Sequence, residues 1–454
     1  MTNEEIMDYI EQKKEDILRD LKGFIAIPSV SDNKVEVEKA LIYAMELGEK
    51  LGFKSEMVCD NQIGLIEVGN GDETVGILAH VDVVPPGNLD NWDIPPFEME
   101  VKSGNIYGRG TMDDKGPIIV CLYAMKALLE SGELMHKKIQ MILGTQEEVS
   151  WTDMKAYKES GYTLPDYGFT PDGEFPLCNI EKGILDADMI FDLKEDIEGD
   201  GWYITDIDAG IMSNAIPGEA KVIIEYYKDG KAIDYREVYT KGKAVHSSQP
   251  ENGINALFLL ADEIEKINYM ENKLSKLLFM TRNNFSSFFG EEIGLYSTSE
   301  EYNGEFVHRN AFSVNMFKVE NKKAKIHINC RFAYGTEPDE IEDTLADIAS
   351  NYSGRLINVE SLPAVYVSKN RPFMKEFAEA YEVASGRRNE FVLAYGGSYA
   401  KAMPNIVSWG PIFPGDEDKC HEDNEYISED TLFTSGKVFA LALYKVVMSE
   451  KHFK

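Results

Sequence analysis

The sequence predicts a discontinuous α/β domain, with a mixed, largely parallel sheet covered by helices, interrupted by an inserted α+β domain. Two continuously apolar runs, at 74–84 and 138–146, lie either side of a helical stretch at 117–129. Strand–helix–strand order with fully apolar strands is typical of parallel sheets whose two faces are both covered. The spacing of apolar residues changes near residue 188 and returns to the first pattern near Pro372.

The remaining elements follow from the same spacing rules. Apolar residues at helical spacing predict two helices in the first 51 residues, and GLIEV at 64–68 predicts a strand. Beyond residue 188, alternating apolar and polar residues predict half-exposed antiparallel strands. We place the first part of the discontinuous domain at 1–187, the insert at 188–368 and the second part at 369–454. Further helices are predicted near 253–267, 338–351, 373–385 and 429–448.

Composition limits the class of protein. A formal net charge of −33 over 454 residues repels nucleic-acid phosphates and anionic membrane surfaces. The charged N-terminal sequence has no apolar signal core, and no apolar run approaches the roughly 20 residues of a membrane helix. The five cysteines are widely spaced and form no CxxC motif. We therefore expect a cytoplasmic protein without nucleic-acid or membrane partners.

Histidine is scarce, with seven in the chain, and His80 lies at the end of an apolar strand. The carboxyl end of such a strand faces the crevice in which open α/β sheets bind ligands. Asp82 follows two residues later, at a spacing that lets its carboxylate orient the imidazole. A lone His-x-Asp is equally compatible with a structural histidine.

Two acidic motifs follow the same logic. Asp113 and Asp114 lie in a glycine-containing turn directly before a helix, where they could face a cation or cap the helix. Glu147 and Glu148 follow the third apolar run. Adjacent carboxylates repel each other unless a cation lies beside them, although a solvated loop also accommodates such a pair.

Asp172, in PDGEFP, and His421, in CHEDNE, complete the candidate set. Two histidines with several carboxylates suit two Zn²⁺ or Mn²⁺ ions better than Ca²⁺ or a thiolate zinc site. Two such ions about 3.5–4 Å apart share a hydroxide and polarise a carbonyl group. The combined pattern therefore predicts a hydrolytic two-metal centre.

Several motifs in order resemble one family over nearly the whole chain. They are HVDVVPPG, YGRGTMDDKGP, GTQEEVSWTDM, PDGEFP, AVHSSQPENGINA, CRFAYG, GGSYAKAM and FPGDEDKCHEDNE. The sequence resembles the aminoacylase, carboxypeptidase G and carnosinase family of two-metal peptidases, and within it the PepV-type bacterial dipeptidases. The resemblance implies that the discontinuous domain is catalytic and that the insert is a lid.

The resemblance also implies a role for each motif residue. It makes Glu147 the catalytic base and Asp82 the acid that orients His80. It further implies a cis peptide bond after Asp113. The implied metal ligands are His80 and Asp172 for one ion, Glu148 and His421 for the other, and Asp113 as the bridge between them.

In the insert, the resemblance implies that His246 stabilises the oxyanion and that Arg331 binds the substrate's C-terminal carboxylate. Asn214 is implied to hold substrate as well. Backbone amides of Gly396, Gly397 and Ser398 are implied to grip the same carboxylate, although these residues also fit a plain turn. Lys401 stands where the family often has arginine, which removes a guanidinium from that position.

The resemblance thus implies hydrolysis of short peptides, foremost dipeptides with a free N-terminus, by a metal-bridging water that Glu147 activates. An N-acyl or N-succinyl amino acid amidohydrolase with the same metal centre is the alternative, followed by a non-catalytic peptide-binding relative. The implied cofactors are two divalent ions per chain, Zn²⁺ first, with Mn²⁺ or Co²⁺ as alternatives. A single chain encloses the substrate in the implied subgroup, so we expect a monomer.

Overall fold

The computed structural model describes residues 1–194, 197–297 and 299–454. Within these ranges the α-helices are α1 (Asn3–Gln12), α2 (Lys14–Ile25), α3 (Lys34–Leu51), α4 (Lys115–Glu130), α5 (Thr152–Glu159), α6 (Ala256–Ile264), α7 (Lys273–Phe285), α8 (Pro338–Asn351), α9 (Pro372–Ser385) and α10 (Glu429–Val447). Short 3₁₀ helices are formed by Leu89–Asn91, Pro250–Asn252 and Tyr399–Ala402.

The strands of the same described ranges are β1 (Lys54–Val58), β2 (Ile63–Val68), β3 (Thr74–His80), β4 (Glu100–Lys102), β5 (Asn105–Tyr107), β6 (Lys138–Gly144), β7 (Tyr167–Thr170), β8 (Cys178–Glu181), β9 (Gly183–Asp192), β10 (Gly201–Ala209), β11 (Glu219–Lys228), β12 (Lys231–Lys241), β13 (Glu301–Tyr302), β14 (Glu305–Phe306), β15 (Ala311–Glu320), β16 (Lys323–Phe332), β17 (Gly354–Leu362), β18 (Val365–Tyr366), β19 (Val392–Ala394), β20 (Ile406–Ser408) and β21 (Tyr426–Ser428).

The chain forms two compact units. Unit 1 comprises Met1–Ile180, Tyr366–Val392 and Ser398–Lys454, and unit 2 comprises Glu181–Val365 and Leu393–Gly397. The sequence predicts the corresponding changes after residues 187 and 368, a few residues later than the unit boundaries. The spacing of apolar residues gives no sign that the short segment 393–397 packs with unit 2.

Unit 1 is built on a mixed sheet whose central strands are parallel. The strand order runs β1-β2-β6-β3-β7-β20 and continues into β8. The pairs β6–β3, β3–β7 and β7–β20 are parallel, whereas β1–β2 and β2–β6 are antiparallel. All seven residues of β3 are buried, as expected for a central strand covered on both faces. The predicted mixed α/β architecture is therefore confirmed.

Helix α4 anchors the packing of unit 1. Its sequence, KGPIIVCLYAMKALLE, is apolar nearly all round, and almost all of its residues are buried. A helix of this composition is stable only when neighbours surround it. Helices α2 and α10 pack against α4, and α1 and α9 pack against α10. This packing fixes the N-terminus of α4, which begins directly after Asp113 and Asp114.

Unit 2 contains an antiparallel sheet in the order β12-β11-β10-β15-β16-β9-β17. Helix α6 packs on β11 and β12, α7 on β10 and β15, and α8 on β9 and β17. The sequence did not predict α7, which begins at a capping box formed by Asn272 and Ser275. The usual sequence signal for such a box has Glu or Gln in the second position, so this one is easily missed.

None of the helices in the described ranges has the length and apolar character needed to cross a membrane.

A buried ion-pair network lies on the sheet of unit 2. His327 Nδ1 lies 2.9 Å from Asp188 Oδ1, and His327 Nε2 lies 3.2 Å from Asp186 Oδ1. Burial alone would lower the pKa of His327, but the contacts with both carboxylates outweigh burial and raise the pKa from 6.5 to about 9. The protonated imidazole therefore stabilises the folded state.

We expect His327→Gln to lower the free energy of unfolding by about 1–3 kcal/mol at pH 6, since one pKa unit corresponds to about 1.4 kcal/mol. The folded-state pKa is raised, so this stability is fully present below about pH 6.5 and is lost as the pH rises through about 9. Denaturant midpoints of the wild type and the variant, compared at about pH 6 and about pH 10, measure the effect. An equal loss at both pH values would contradict it.

Candidate metal centre

The predicted metal ligands of unit 1 come from the ends of neighbouring strands. His80 ends β3, Glu148 follows the end of β6, and Asp172 follows the end of β7. These three strands are adjacent and parallel, so their carboxyl ends meet at one edge of the sheet. Asp113 lies in the turn before α4, and His421 lies in the loop before β21. The structure brings all five residues together.

Asp113 lies between the two histidines. Its Oδ1 atom lies 2.9 Å from His80 Nε2, and its Oδ2 atom lies 3.0 Å from His421 Nε2. Asp172 Oδ2 lies 3.7 Å from His80 Nε2, and Glu148 Oε2 lies 3.0 Å from His421 Nε2. A carboxylate whose two oxygens face two different imidazoles has the arrangement of a bridging ligand. The peptide bond between Asp113 and Asp114 is cis, as the resemblance implies.

The donor set fits divalent cations. In the described ranges, His80 Nε2 and Asp113 Oδ1 are buried and make no hydrogen bond, although they face each other. Ligand atoms of His80, Asp113 and Glu148 lie within 4.8 Å of one another, and so do those of His80, Glu147 and Asp172. Mixed imidazole and carboxylate ligands suit Zn²⁺, Mn²⁺ and Co²⁺. The second group shows that Glu147 also lies within reach of an ion.

The electrostatics of the cluster favour a bound cation. Burial, followed by the negative charge of Asp113, raises the pKa of Asp172 to about 8. Burial and the charge of Asp172 raise the pKa of Glu147 well above its usual range. The contacts with Asp113 and Glu148 raise the pKa of His421 to about 11. Carboxylates this close cannot all ionise without compensating positive charge, which divalent ions supply.

Asp82 is fully buried and contacts both the histidine and the glutamate loop. The nearest contact to His80 Nδ1 is the backbone carbonyl of Asp82, at 2.9 Å, and the carboxylate Oδ1 lies 3.5 Å away. The carboxylate accepts hydrogen bonds from the backbone amides of Glu147 and Glu148, at 3.2 and 3.4 Å. It also accepts one from the Ser31 hydroxyl at 2.8 Å. Asp82 thus positions His80, at the end of β3, and the loop that follows β6.

Glu425 holds the turn that carries Asp113, a role that the sequence analysis missed. Its carboxylate is fully buried and accepts hydrogen bonds from the backbone amides of Gly110, Met112 and Asp113, at 2.9–3.2 Å. It also forms an ion pair with the buried Arg109 at 2.7 Å. Glu425 lies four residues after His421, so one side chain ties the two ligand segments together. The only sequence signal was its place in the CHEDNE motif.

Residues that the resemblance implies for the lid lie within unit 2. Asn214 accepts a hydrogen bond at its carbonyl from the Ser247 amide, at 2.8 Å, next to His246 in the chain. His246 Nδ1 lies 2.8 Å from the Ser248 hydroxyl. Burial, followed by the positive charge of Arg331, lowers the pKa of His246. The imidazole is therefore neutral at neutral pH and can donate one hydrogen bond.

Arg331 is 7% exposed and lies beside the glycine segment of unit 2. Its Nε donates to Asn329 Oδ1 at 3.2 Å, and its Nη1 donates to the Tyr395 carbonyl at 3.4 Å. Gly396 and Gly397 follow Tyr395 and are exposed. Ser398, the first residue after this segment, belongs to unit 1 and caps the 3₁₀ helix that begins at Tyr399.

Comparisons with known proteins agree with the geometry. Residues 76–445 match the model of peptidase family M20/M25/M40. A Bacillus subtilis relative named "Putative dipeptidase YtjP" is 31% identical, over 96% of this chain and 98% of its own. Human carnosine dipeptidase 1 has a similar fold, with a TM-score of 0.63, 14% identity and 99% of each chain covered. The YXEP protein of Bacillus subtilis, described as a dinuclear metal-binding peptidase, has a TM-score of 0.54 and 12% identity. The match covers 95% of this chain and 98% of that protein.

The α/β fold and the histidine–carboxylate cluster define a metal-dependent hydrolase. More narrowly, the chain belongs to the M20/M25/M40 family of peptidases and is a metallopeptidase. The family is one of peptidases, which act on peptide substrates.

We expect Glu425→Gln to weaken metal binding about 10–100-fold, the usual effect of losing an outer-shell partner of a metal ligand. A glutamine keeps one acceptor oxygen for the amides but loses the charge that pairs with Arg109. Competition with a chelating dye measures the affinity. Glu422→Gln is the matched control, because Glu422 is exposed and pairs only with Lys419 on the surface within the described residues. Equal affinity in the wild type and Glu425→Gln would contradict the role of Glu425.

Proposed function

We propose that this metallopeptidase is a dipeptidase that hydrolyses dipeptides with a free N-terminus, and that Glu147 is its general base. The observation that carries the proposal is the position of Asp113 between His80 and His421, with Glu147 beside them. The curated relative named as a dipeptidase supports the substrate class.

The residues proposed to hold the ions are those that the structure groups together. His80 and Asp172 would hold one ion, Glu148 and His421 the other, and Asp113 would bridge them. When bound, two divalent ions lower the pKa of a water molecule and polarise the scissile carbonyl. Zn²⁺ is our first choice of metal, and the same donors accept Mn²⁺ or Co²⁺.

Glu147 is the residue proposed to move the proton. Its amide is held by Asp82, and burial together with the charge of Asp172 raises the pKa of its carboxyl group. A base with a raised pKa takes a proton from water and then donates it to the leaving amine near neutral pH. Glu147 is not needed as a ligand in this scheme, because Asp172 and His80 already hold that position.

Unit 2 supplies the proposed substrate contacts. Arg331 offers its guanidinium to the substrate's C-terminal carboxylate, and Asn214 and the amides of Gly396 and Gly397 add hydrogen bonds, together with the amide of Ser398 from unit 1. His246, neutral near pH 7, donates to the oxyanion, a contribution of about 3–4 kcal/mol for a well-placed donor. Arg331 and the backbone amides would both bind the C-terminal carboxylate of the substrate. This favours short peptides whose C-terminus lies close to the scissile bond.

An N-acyl or N-succinyl amino acid amidohydrolase would use the same ligands and the same base. The difference lies in the acyl group, on the carbonyl side of the scissile bond, which carries a free amine in a dipeptide and none in an N-acyl amino acid. We also propose that the enzyme is a cytoplasmic monomer. The cysteines support a reducing compartment, because those in the described ranges are thiols rather than disulfides.

We expect Glu147→Gln to reduce kcat at least about 10³-fold while both ions stay bound, because only the proton acceptor is lost. Steady-state kinetics and metal analysis of the same preparation measure the two quantities. Glu148→Gln is the matched comparison, and it should lose one ion per chain. Loss of an ion in Glu147→Gln would instead make Glu147 a ligand, as its distance from His80 and Asp172 allows.

We expect chelator-treated enzyme to regain activity on a dipeptide when Zn²⁺ or Mn²⁺ is added, and to leave an N-acetyl amino acid intact. A tripeptide tests whether the site requires the C-terminal carboxylate next to the scissile bond. Chromatographic detection of released amino acids gives the rate for each substrate. Preference for the acetylated compound would overturn the dipeptidase proposal and keep the metal centre. No hydrolysis of any of the three would favour a peptide-binding relative.

A further inference from the structure

The loop that carries Glu147 and Glu148 is held through its backbone. The amides of Glu147 and Glu148 donate to Asp82. The two preceding amides, of Thr145 and Gln146, donate to Asp153 Oδ2 at 2.6 and 2.9 Å. Four consecutive amides therefore point at two buried carboxylates.

Asp153 is fully buried and lies at the start of α5. Besides the two loop amides, its Oδ2 accepts a hydrogen bond from the Tyr399 hydroxyl at 2.6 Å. Its Oδ1 accepts one from the Met154 amide at 2.6 Å. In the described residues Asp153 has no ion pair, so hydrogen-bond donors alone compensate its buried charge. Removing any of these donors leaves the carboxylate less well solvated.

Tyr399 is fully buried and lies against the metal centre. Its ring packs edge-on against the rings of His80 and Trp151, with centroids 6.2 and 5.2 Å apart. Trp151 in turn donates from its indole nitrogen to the carbonyl of Glu147 at 2.5 Å. The same tyrosine therefore contacts a metal ligand and the base loop.

The absence of a side chain at Gly144 leaves room for Asp153 and Tyr399 beside the end of β6. A Cβ atom at Gly144, directly before the loop, would lie 2.6 Å from Asp153 Oδ2 and closer still to the Tyr399 hydroxyl. Only glycine lets the carboxylate and the hydroxyl approach the backbone this closely. The end of β6 is therefore shaped to receive Asp153 and Tyr399.

We propose that Asp153 and Tyr399 are positioning residues, which fix the backbone of Thr145 and Gln146 and so set the reach of the Glu147 carboxylate. The inference rests on the role proposed above for Glu147. The side chain of Glu147 is long, but the backbone that carries it is fixed. Asp153 binds the two amides before Glu147, and Asp82 binds the amides of Glu147 and Glu148. Catalytic groups must be held to within a fraction of an ångström, and a 1 Å misplacement can cost about 10²-fold in rate.

Two variants test this proposal, and both keep the shape of the side chain. Tyr399→Phe removes the hydroxyl that donates to Asp153, and Asp153→Asn removes the negative charge. Tyr157→Phe is the matched control, because Tyr157 is a fully buried tyrosine on the same helix as Asp153 and contacts Gln140 and Thr163 instead. Kinetics at saturating metal should show kcat lowered about tenfold in Tyr399→Phe and about 10²-fold in Asp153→Asn. The KM and the number of bound ions should match those of the wild type, and Tyr157→Phe should retain full activity.

A second measurement does not depend on activity. Hydrogen–deuterium exchange of the fragment 145–150 in metal-free protein should be faster by about tenfold or more in both variants, and unchanged in Tyr157→Phe. Unchanged exchange would overturn the proposal, as would faster exchange with wild-type kcat. Equal losses in Tyr157→Phe would overturn it too, because the effect would then be a general one of buried hydroxyls. If the wild type hydrolyses no peptide, the proposed function fails, while the exchange rates still decide whether the pair fixes the loop.

Discussion

The structure of the metal centre depends on buried carboxylates that accept hydrogen bonds from backbone amides. Asp82 and Asp153 together bind four successive amides at 145–148, and Glu425 binds three amides in the turn before α4. Burying a carboxylate is costly unless its oxygens are fully hydrogen-bonded. Backbone amides meet that need without adding flexible side chains. The result is a set of rigid loops at the edge of a rigid sheet.

This arrangement explains why the proposed ligands can come from such distant parts of the chain. Strands β3, β6 and β7 bring three of the proposed ligand positions to one edge, whereas Asp113 and His421 lie in the loops after β5 and before β21, two short strands that pair with each other. Glu425 adds to this strand pairing, because its buried side chain binds amides of the turn that carries Asp113 and pairs with Arg109. The desolvation cost of that ion pair is offset by the amides around the same carboxylate. The buried ion pair of Glu425 and Arg109 therefore serves to position the turn that carries Asp113 rather than to stabilise the fold.

The sequence predicted those parts of the candidate site that lie at the ends of strands with a recognisable apolar pattern. Apolar strands end at recognisable points, so His80 and Glu147 were expected at the ends of strands, and these strands are neighbours in the sheet. Asp172 was expected only as an acid in a turn, and it follows β7, a strand that the sequence did not predict. The mixed sheet follows from the same signal. Asp153 and Glu425 were not predicted as site residues, because a side chain that binds loop amides leaves no periodic pattern. Helix α7 was missed for a similar local reason, a capping box without the usual glutamate.

The net charge of −33 must be reconciled with the proposed substrate, which carries a carboxylate. At physiological ionic strength, exposed charges more than about 8 Å apart are largely screened, so most of the acidic surface acts only weakly on a bound ligand. A buried guanidinium in contact with the ligand is hardly screened at all. Arg331 has no ion pair with a carboxylate in the described ranges, and its partners are a side-chain amide and a backbone carbonyl. The charge of Asp186 acts on Arg331 although the two side chains form no ion pair in the described ranges. A substrate carboxylate that contacts the guanidinium, as proposed, would form a charge-assisted hydrogen bond that outweighs the distant acidic surface.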